Sequence, residues 1–304
     1  MSGRLSSRAF GAALLVLAGG AAASIAPPDA VSIRTDRGRI LFWSGRSGHP
    51  AVWRMNADGS GQRLLTRFPQ NAKRGVLSPD GRRFAFDGAA SGVPAMTNFD
   101  VQVMNLDGSR RRRLTSGPAK DIDPQWSPDG TTISYTHQLD DFGREVSIRL
   151  VRPDGTGRRL LLANGSQARW SPDGRLIAFG RWVGDQSDLF VLDLATRRTT
   201  RLTASAEYEE PGGWSPDGGT IVFTRADAAS SDVYTIRPDG TGLRRLTRSP
   251  ADDRACEFSP DGRQIVFTTD RTGTDQVFVM GRDGSHQHNL SRSASDDEAT
   301  QWHR

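Results

Sequence analysis

The chain of 304 residues contains a single cysteine, Cys256, and only two lysines, Lys73 and Lys120, against 38 arginines. One cysteine excludes an intramolecular disulfide. The fold must therefore be held by packing alone, for which the ~280 residues that follow a leader are long enough. Cys256 itself is expected on an inner strand with Phe258 as a small buried core residue rather than a reactive thiol. The five histidines, His49, His137, His286, His288 and His303, are scattered, and no two of them combine with a carboxylate at metal-ligand spacing. There is no Gly-x-Ser-x-Gly elbow for a serine nucleophile. Outside the N-terminus no long segment has a 3.6-residue apolar period, which disfavours helix. The formal net charge is only +5, and two of those charges, Arg4 and Arg8, lie at the extreme N-terminus. The excess of arginine over lysine thus gives little support to a nucleic-acid partner.

What the chain does contain is repetition. Ser-Pro-Asp-Gly occurs at Ser78, Ser127, Ser171, Ser215 and Ser259, at steps of 49, 44, 44 and 44 residues. A long fixed period is the mark of a repeat architecture. From Ile221 to Gly262 one unit reads as four short apolar or alternating segments separated by turn residues. Pro presets φ at the first central turn position, Asp suits the second, and Gly supplies the positive φ that lets the chain reverse. Asp80, Asp129, Asp173, Asp217 and Asp261 are accordingly assigned to turn structure, as acceptors for local backbone N–H groups. A second turn family, Asp-Gly followed by Ser or Thr, recurs at Asp58, Asp107, Asp154, Asp239 and Asp283, and the fourth unit replaces it with Asp193-Leu194-Ala195-Thr196.

A large apolar residue precedes each Ser-Pro-Asp-Gly: Leu77, Trp126, Trp170, Trp214 and Phe258. These are expected to pack between neighbouring units. A further step of 44 from Phe258 reaches Trp302, so the chain ends on a strand that lacks its turn. At the other end, Ile40-Leu41-Phe42-Trp43 begins a unit that lacks its first strand. The two incomplete units complete each other, as in a ring closed by its C-terminal strand. Second strands should start near Ile40, Phe84, Ile133, Ile177, Ile221 and Ile265. The expected fold is all-β, a six-bladed propeller of four-stranded blades.

These motifs, with Leu-Thr at Leu65-Thr66, Leu114-Thr115, Leu202-Thr203 and Leu246-Thr247, resemble the PD40 repeats of TolB-type propellers, a WD40-like family. The resemblance covers about residues 38–302 and implies fold far more strongly than function. TolB itself carries an α/β domain before its propeller, for which this sequence leaves no room between leader and first strand. Propellers of the prolyl-oligopeptidase type look similar but accompany a hydrolase domain. Oligogalacturonate lyase has a related propeller with a histidine-bound metal at its centre, and this chain offers no comparable histidine set.

Residues 1–23 read as a signal peptide, with Arg4 and Arg8 before the apolar stretch Phe10 to Ala18 and small residues at Ala21-Ala22-Ala23. Residues 24–37 form a short linker and 38–304 the propeller. The protein is expected to be exported, to the periplasm, the cell envelope or beyond, and to be a monomer without membrane insertion after cleavage. The alternative is an uncleaved anchor, for which the stretch from Ala9 to Ala26 falls short.

Ligands of propellers bind at the channel mouth, on the face that carries the loops entering each inner strand. Those loops are acidic here, and Asp121, Asp123, Glu210, Asp253 and Glu298 are the candidate site residues. They would pair with Lys, Arg or an α-amino group of a protein or peptide partner with a basic segment. Asp121-x-Asp123 offers two carboxylates to Ca²⁺ but lacks the dense oxygen spacing of an EF-hand loop, so no metal and no cofactor are expected. His137 is expected in a loop of the third blade, and His286 and His288 on an outer strand of the last. The arginine pairs and runs Arg110–Arg113, Arg158-Arg159, Arg197-Arg198 and Arg244-Arg245 fall on outer strands or their turns, where charge discourages edge-to-edge pairing. The rival to a binding module is an enzyme, a polysaccharide lyase or hydrolase, or a cation-dependent ligand-binding propeller, with its site in the channel. A third reading is a scaffold that binds an anionic polymer through its arginine edge.

Overall fold

The structure is a computed structural model and describes residues 38–48, 51–67, 72–89, 99–139 and 145–303. The expected signal peptide and linker, His49, and the loop acids Asp140 and Asp141 lie outside them.

Six four-stranded antiparallel sheets account for all 24 strands among the described residues. The inner strands of blades two to six are Ala72–Leu77, Lys120–Trp126, Ser166–Trp170, Tyr208–Trp214 and Asp253–Phe258. Blade one takes its inner strand from the other end of the chain. Asp297–His303 pairs with Arg39–Ser44, setting Trp302 opposite Ile40 and Asp297 opposite Ser44. The second strands begin at Arg39, Arg83, Ile133, Leu176, Ile221 and Gln264, within one residue of the starts expected from the repeat. The outermost strands are short, down to the two residues of Arg112–Arg113, Arg244–Arg245 and His288–Asn289, which limits the exposed edge.

The core is a ring of six apolar clusters, each straddling two neighbouring blades. Ile221, Phe223 and Trp214 of blade five pack with Ala178, Leu189 and Val191 of blade four, whereas Val222 and Val233 pack with Phe258 and Phe267 of blade six. Alternate residues of one strand thus enter different clusters. Both faces are buried, which explains why the middle strands read as continuous apolar runs. The closing cluster joins Ile40, Phe42 and Trp302 to Val266, Val277 and Val279. The apolar anchors also tie blades together by hydrogen bonds. The indole N–H of Trp126 donates to the Val76 carbonyl at 3.3 Å and that of Trp214 to the Arg169 carbonyl at 2.9 Å.

The turns follow the chemistry of their sequence. In all five Ser-Pro-Asp-Gly turns the Gly N–H donates to the Ser carbonyl at 2.8–2.9 Å, and the Gly φ is between 67° and 72°. The Ser hydroxyl donates to the Asp carboxylate at 2.5–2.6 Å. That hydroxyl is the first cause that holds the carboxyls of Asp80, Asp129, Asp173 and Asp217 below the ordinary range. Leu114-Thr115, Leu202-Thr203 and Leu246-Thr247 lie just past the outer strands, whereas Leu65-Thr66 falls within Arg63–Arg67. Each of these first three Leu is buried, and the Thr hydroxyl accepts an N–H of the third strand, Val101 to Thr115, Leu189 to Thr203 and Val233 to Thr247, all at 2.9 Å.

Candidate functional site: the channel mouth

The inner strands run from the mouth to the Ser-Pro-Asp-Gly face, and their first residues decide what the mouth presents. Five positions before the apolar anchor, four blades carry an acid: Asp121, Glu209, Asp253 and Asp297. All four are buried, at 0–4 % exposure, and each has a basic side chain as its partner. Asp121 accepts from Nδ1 of His137 at 2.6 Å. Glu209 pairs with Arg225 at 2.7 Å, and Arg271 reaches both oxygens of Asp253 at 2.9 and 3.0 Å. Arg46 pairs with Asp297 across the ring closure. Three of these guanidiniums also lie over aromatic pairs of their own blade: Arg46 over Phe42 and Trp53, Arg225 over Phe223 and Tyr234, and Arg271 over Phe267 and Phe278, at 4.7–5.9 Å from the ring centroids. Blade four has Gly165 at the acid's position. Its Arg181 stacks on Phe179 and Phe190 in the same way and donates instead to the Asn164 carbonyl at 2.9 Å.

Immediately after these acids the strands break register. Shifts fall between Ile122 and Gln125, Ser166 and Arg169, Pro211 and Gly213, and Arg254 and Glu257. Asp123, Gln167 and Ala255, at the bulges, have φ of 50–54°. A bulge re-aims the following side chains, and the N–H at the bulge is taken up by the neighbouring blade: Gln167 donates to Thr136 Oγ1 at 2.9 Å. The result is a channel of about 360 Å³ whose charged lining among the described residues is Asp123, Glu210, Glu257 and Glu298 beside Arg169 and Arg254.

The candidate acids therefore separate into two kinds. Asp121 and Asp253 are not available at the mouth surface as the sequence suggested. They lie beneath it, each engaged by a basic side chain of its own blade, because period-2 alternation turns them between the blades. Asp123, Glu210 and Glu298 line the channel. Asp123 is 4 % exposed and Glu298 is half-buried, within the field of Arg254, which itself pairs with Asp275. Glu210 is half-buried, and its Oε1 accepts from Gln167 Nε2 at 2.8 Å and from the Tyr208 hydroxyl at 3.3 Å. Other loop acids spend their oxygens on backbone. Asp252 takes the Ser231 N–H at 2.9 Å, Asp270 the Asp252 N–H at 2.9 Å, and Asp227 the N–H groups of Ala229 and Ser230.

Sequence reasoning missed the channel's Gln167, Arg169, Arg254 and Glu257. Glu257 directly precedes an apolar anchor, and its Oε2 accepts the Trp302 N–H of the closing strand at 3.0 Å. Burial, only partly offset by the Trp302 N–H and then by Arg169, pushes its carboxyl up to about 7. Burial likewise pushes the Cys256 thiol far above its ordinary range, as befits a core residue. His137 is on the second strand of blade three, Ile133–Gln138, rather than in a loop. His288 opens the two-residue outer strand of blade six, while His286 sits before it in a turn with φ of 55°.

The arginine edge has structural work of its own. Arg113, Arg201 and Arg245, each just before a Leu-Thr pair, form ion pairs with the buried Asp100, Asp188 and Asp232 of the third strand at 2.5–2.6 Å. Arg112 and Arg244 reach the next blade, donating to the carbonyls of Asp154 at 2.8 Å and Asp283 at 2.9 Å.

The family described as the TolB beta propeller domain, PD40, matches residues 30–168 and again 143–304. A Tol-Pal system protein TolB from Anaeromyxobacter dehalogenans is 42 % identical over 93 residues, which are 31 % of this chain and 20 % of that protein. The chain thus matches about a fifth of that relative's length. The crystal structure of TolB from Acinetobacter baumannii superposes with a TM-score of 0.72 at 19 % identity, covering 86 % of this chain and 65 % of that one. An oligogalacturonate lyase in complex with manganese superposes at 0.54 and 17 % identity, covering 83 % of this chain and 73 % of that one. At these identities the two structures share the fold alone.

Proposed function

The chain belongs to the TolB β-propeller family, and from that premise we propose that it is an exported, non-enzymatic binding module that holds a protein or peptide partner at its channel mouth in the cell envelope. One observation carries this reading. The ring acids beneath the mouth are engaged by basic side chains of the fold, whereas among the described residues the channel lining carries Asp123, Glu210 and Glu298, and a Glu257 whose carboxyl is raised to about 7, beside Arg169 and Arg254. A negative potential is thereby focused on the one concavity that all six blades build, and it suits a basic segment of a partner. The Tol-Pal system named for the relative is an envelope setting in keeping with export.

A catalytic reading would need a nucleophile or a metal cradle. Among the described residues no group of three or more His, Cys, Asp and Glu is gathered to hold a metal. The one histidine beside a mouth acid, His137, is committed to Asp121. The binding reading uses no cofactor and a single copy of the chain.

The test is cross-linked capture from the native envelope, with wild-type protein compared with a Glu210→Lys, Glu298→Lys double variant. Both positions are half-buried in the channel rather than in the core, so the variant should fold. A partner captured by the wild type and lost by the variant is the expected result. Equal capture by both would overturn the assignment to the mouth.

A further inference from the structure

Glu209 and Glu210 are adjacent and have opposite surroundings. Glu209 is fully buried and accepts from Arg225, the Thr203 and Ser205 hydroxyls and the Leu189 N–H. Glu210 faces the channel, and both of its donors are neutral: the Gln167 amide and the Tyr208 hydroxyl, both on Oε1. No Lys, Arg or His among the described residues lies within ion-pair reach of it, and its Oε2 is left over. Beside it the Tyr208 ring lies 5.6 Å from that of Trp182, centroid to centroid, at an interplanar angle of 47°. Trp182 stands near the end of the second strand of blade four and is half-buried. The rim between blades four and five thus offers a carboxylate oriented by two neutral donors, with a free oxygen, next to two aromatic rings.

We propose that Glu210, oriented by Gln167 and Tyr208, with Trp182 beside Tyr208, is the subsite that receives a cationic side chain, lysine or arginine, of the partner. This rests on the mouth-binding reading and refines it. An ammonium or guanidinium at Oε2 makes a charge-assisted hydrogen bond in a partly desolvated place, and its flank can lie against the rings. The two donors on Oε1 fix the carboxylate before the ligand arrives, which reduces the ordering cost of binding. Elsewhere at the mouth the same chemistry is already satisfied internally, by Arg46, Arg225 and Arg271.

The experiment uses fluorescein-labelled, end-blocked octapeptides of alternating Gly and Lys, Gly and Arg, or Gly and Glu, titrated with the full chain by fluorescence anisotropy. Lys and Arg peptides should bind and the Glu peptide should not, and the stronger of the first two identifies the preferred cation. Glu210→Gln keeps an acceptor for Gln167 and Tyr208 and so preserves the fold. It should weaken binding by about five- to tenfold, the gap between a charged and a neutral hydrogen bond. Trp182→Ala should weaken it about threefold, a modest cation–π loss, and Glu298→Gln less than either. Unchanged binding by Glu210→Gln overturns the subsite, as does equal binding of the Glu peptide. If cationic peptides depend on Glu298 and not on Glu210, the subsite fails while binding at the mouth stands. If channel variants lose an envelope partner and no cationic peptide binds, the subsite likewise fails alone.

Discussion

The paired glutamates give the sharpest test of how the mouth is built. Glu209→Gln and Glu210→Gln are the same chemical change at adjacent residues. At Glu209 it removes the charge that balances Arg225, whose side chain is 17 % exposed, and it sets an amide N–H₂ among groups arranged to donate. Breaking a buried ion pair on one side costs about 3–5 kcal/mol. Arg225 retains some water and has Glu207 at 4.0 Å, which lowers the expected loss to about 2–4 kcal/mol. For a domain of this size that corresponds to a Tm lower by roughly 6–12 °C. Glu210→Gln keeps both of its neutral donors and faces the channel, so its effect should stay within about 0.5 kcal/mol. Differential scanning fluorimetry and urea titration at neutral pH read both. Arg225→Met alone should cost a similar amount to Glu209→Gln, and the double variant should fall well short of the sum, because the two residues share one interaction. If the two glutamate variants melt together, the division between a structural Glu209 beneath the mouth and a channel-facing Glu210 is wrong.

Three other outcomes follow from the same geometry. A methyl at Gly212 would lie 2.3 Å from the Cys256 carbonyl oxygen, 2.7 Å from its Sγ and 3.0 Å from the Val222 carbonyl oxygen, so Gly212→Ala should destabilise the junction of blades five and six by about 3 kcal/mol in urea denaturation. Glu257 has its carboxyl raised to about 7, so the folded protein binds a proton there that the unfolded chain has already released; stability should fall as pH rises from about 4.5 through 7. Glu257→Gln, which can still accept the Trp302 N–H as Gln301 accepts that of Leu77, should match the wild type near pH 4.5 and melt above it at pH 8; a Tm difference independent of pH would contradict this. Deleting residues 297–304 removes the inner strand of blade one together with Asp297 and Trp302, and should abolish the cooperative melt seen by near-UV circular dichroism; an unchanged transition would refute closure through that strand.

Almost all of the fold was legible because its information is local and periodic. Pro, Asp and Gly at fixed turn positions, and an apolar anchor just before them, mark the same point of every blade, and the 44-residue step extended to Trp302 located the closing strand. The site was less legible because its decisive contacts are not local. Arg46 meets Asp297 across 251 residues, and the bulges that turn Asp123 and Gln167 into the channel leave no compositional trace. Acidic loop residues alone gave no means of telling a buried partner of arginine from an open carboxylate.

A means of separating them was nevertheless present in the repeat. Asp121, Glu209, Asp253 and Asp297 all stand five residues before an anchor, so their acidity recurs with the blade period. A residue type that recurs at the period answers a need of the blade, as the Asp of Ser-Pro-Asp-Gly does, and here that need is a buried partner for a basic side chain of the same blade, an arginine in three blades and His137 in the fourth. The next position holds Lys73, Ile122, Ser166, Glu210, Arg254 and Glu298, with no common chemistry. No blade-building requirement dictates those residues, and Glu210, Arg254 and Glu298 among them line the channel. In a propeller, structure is written in what repeats from blade to blade, and a site must be sought where the repeat is broken. Glu210, at a position without a shared residue type and with no cation of its own, meets that criterion, whereas Asp121 and Asp253 do not.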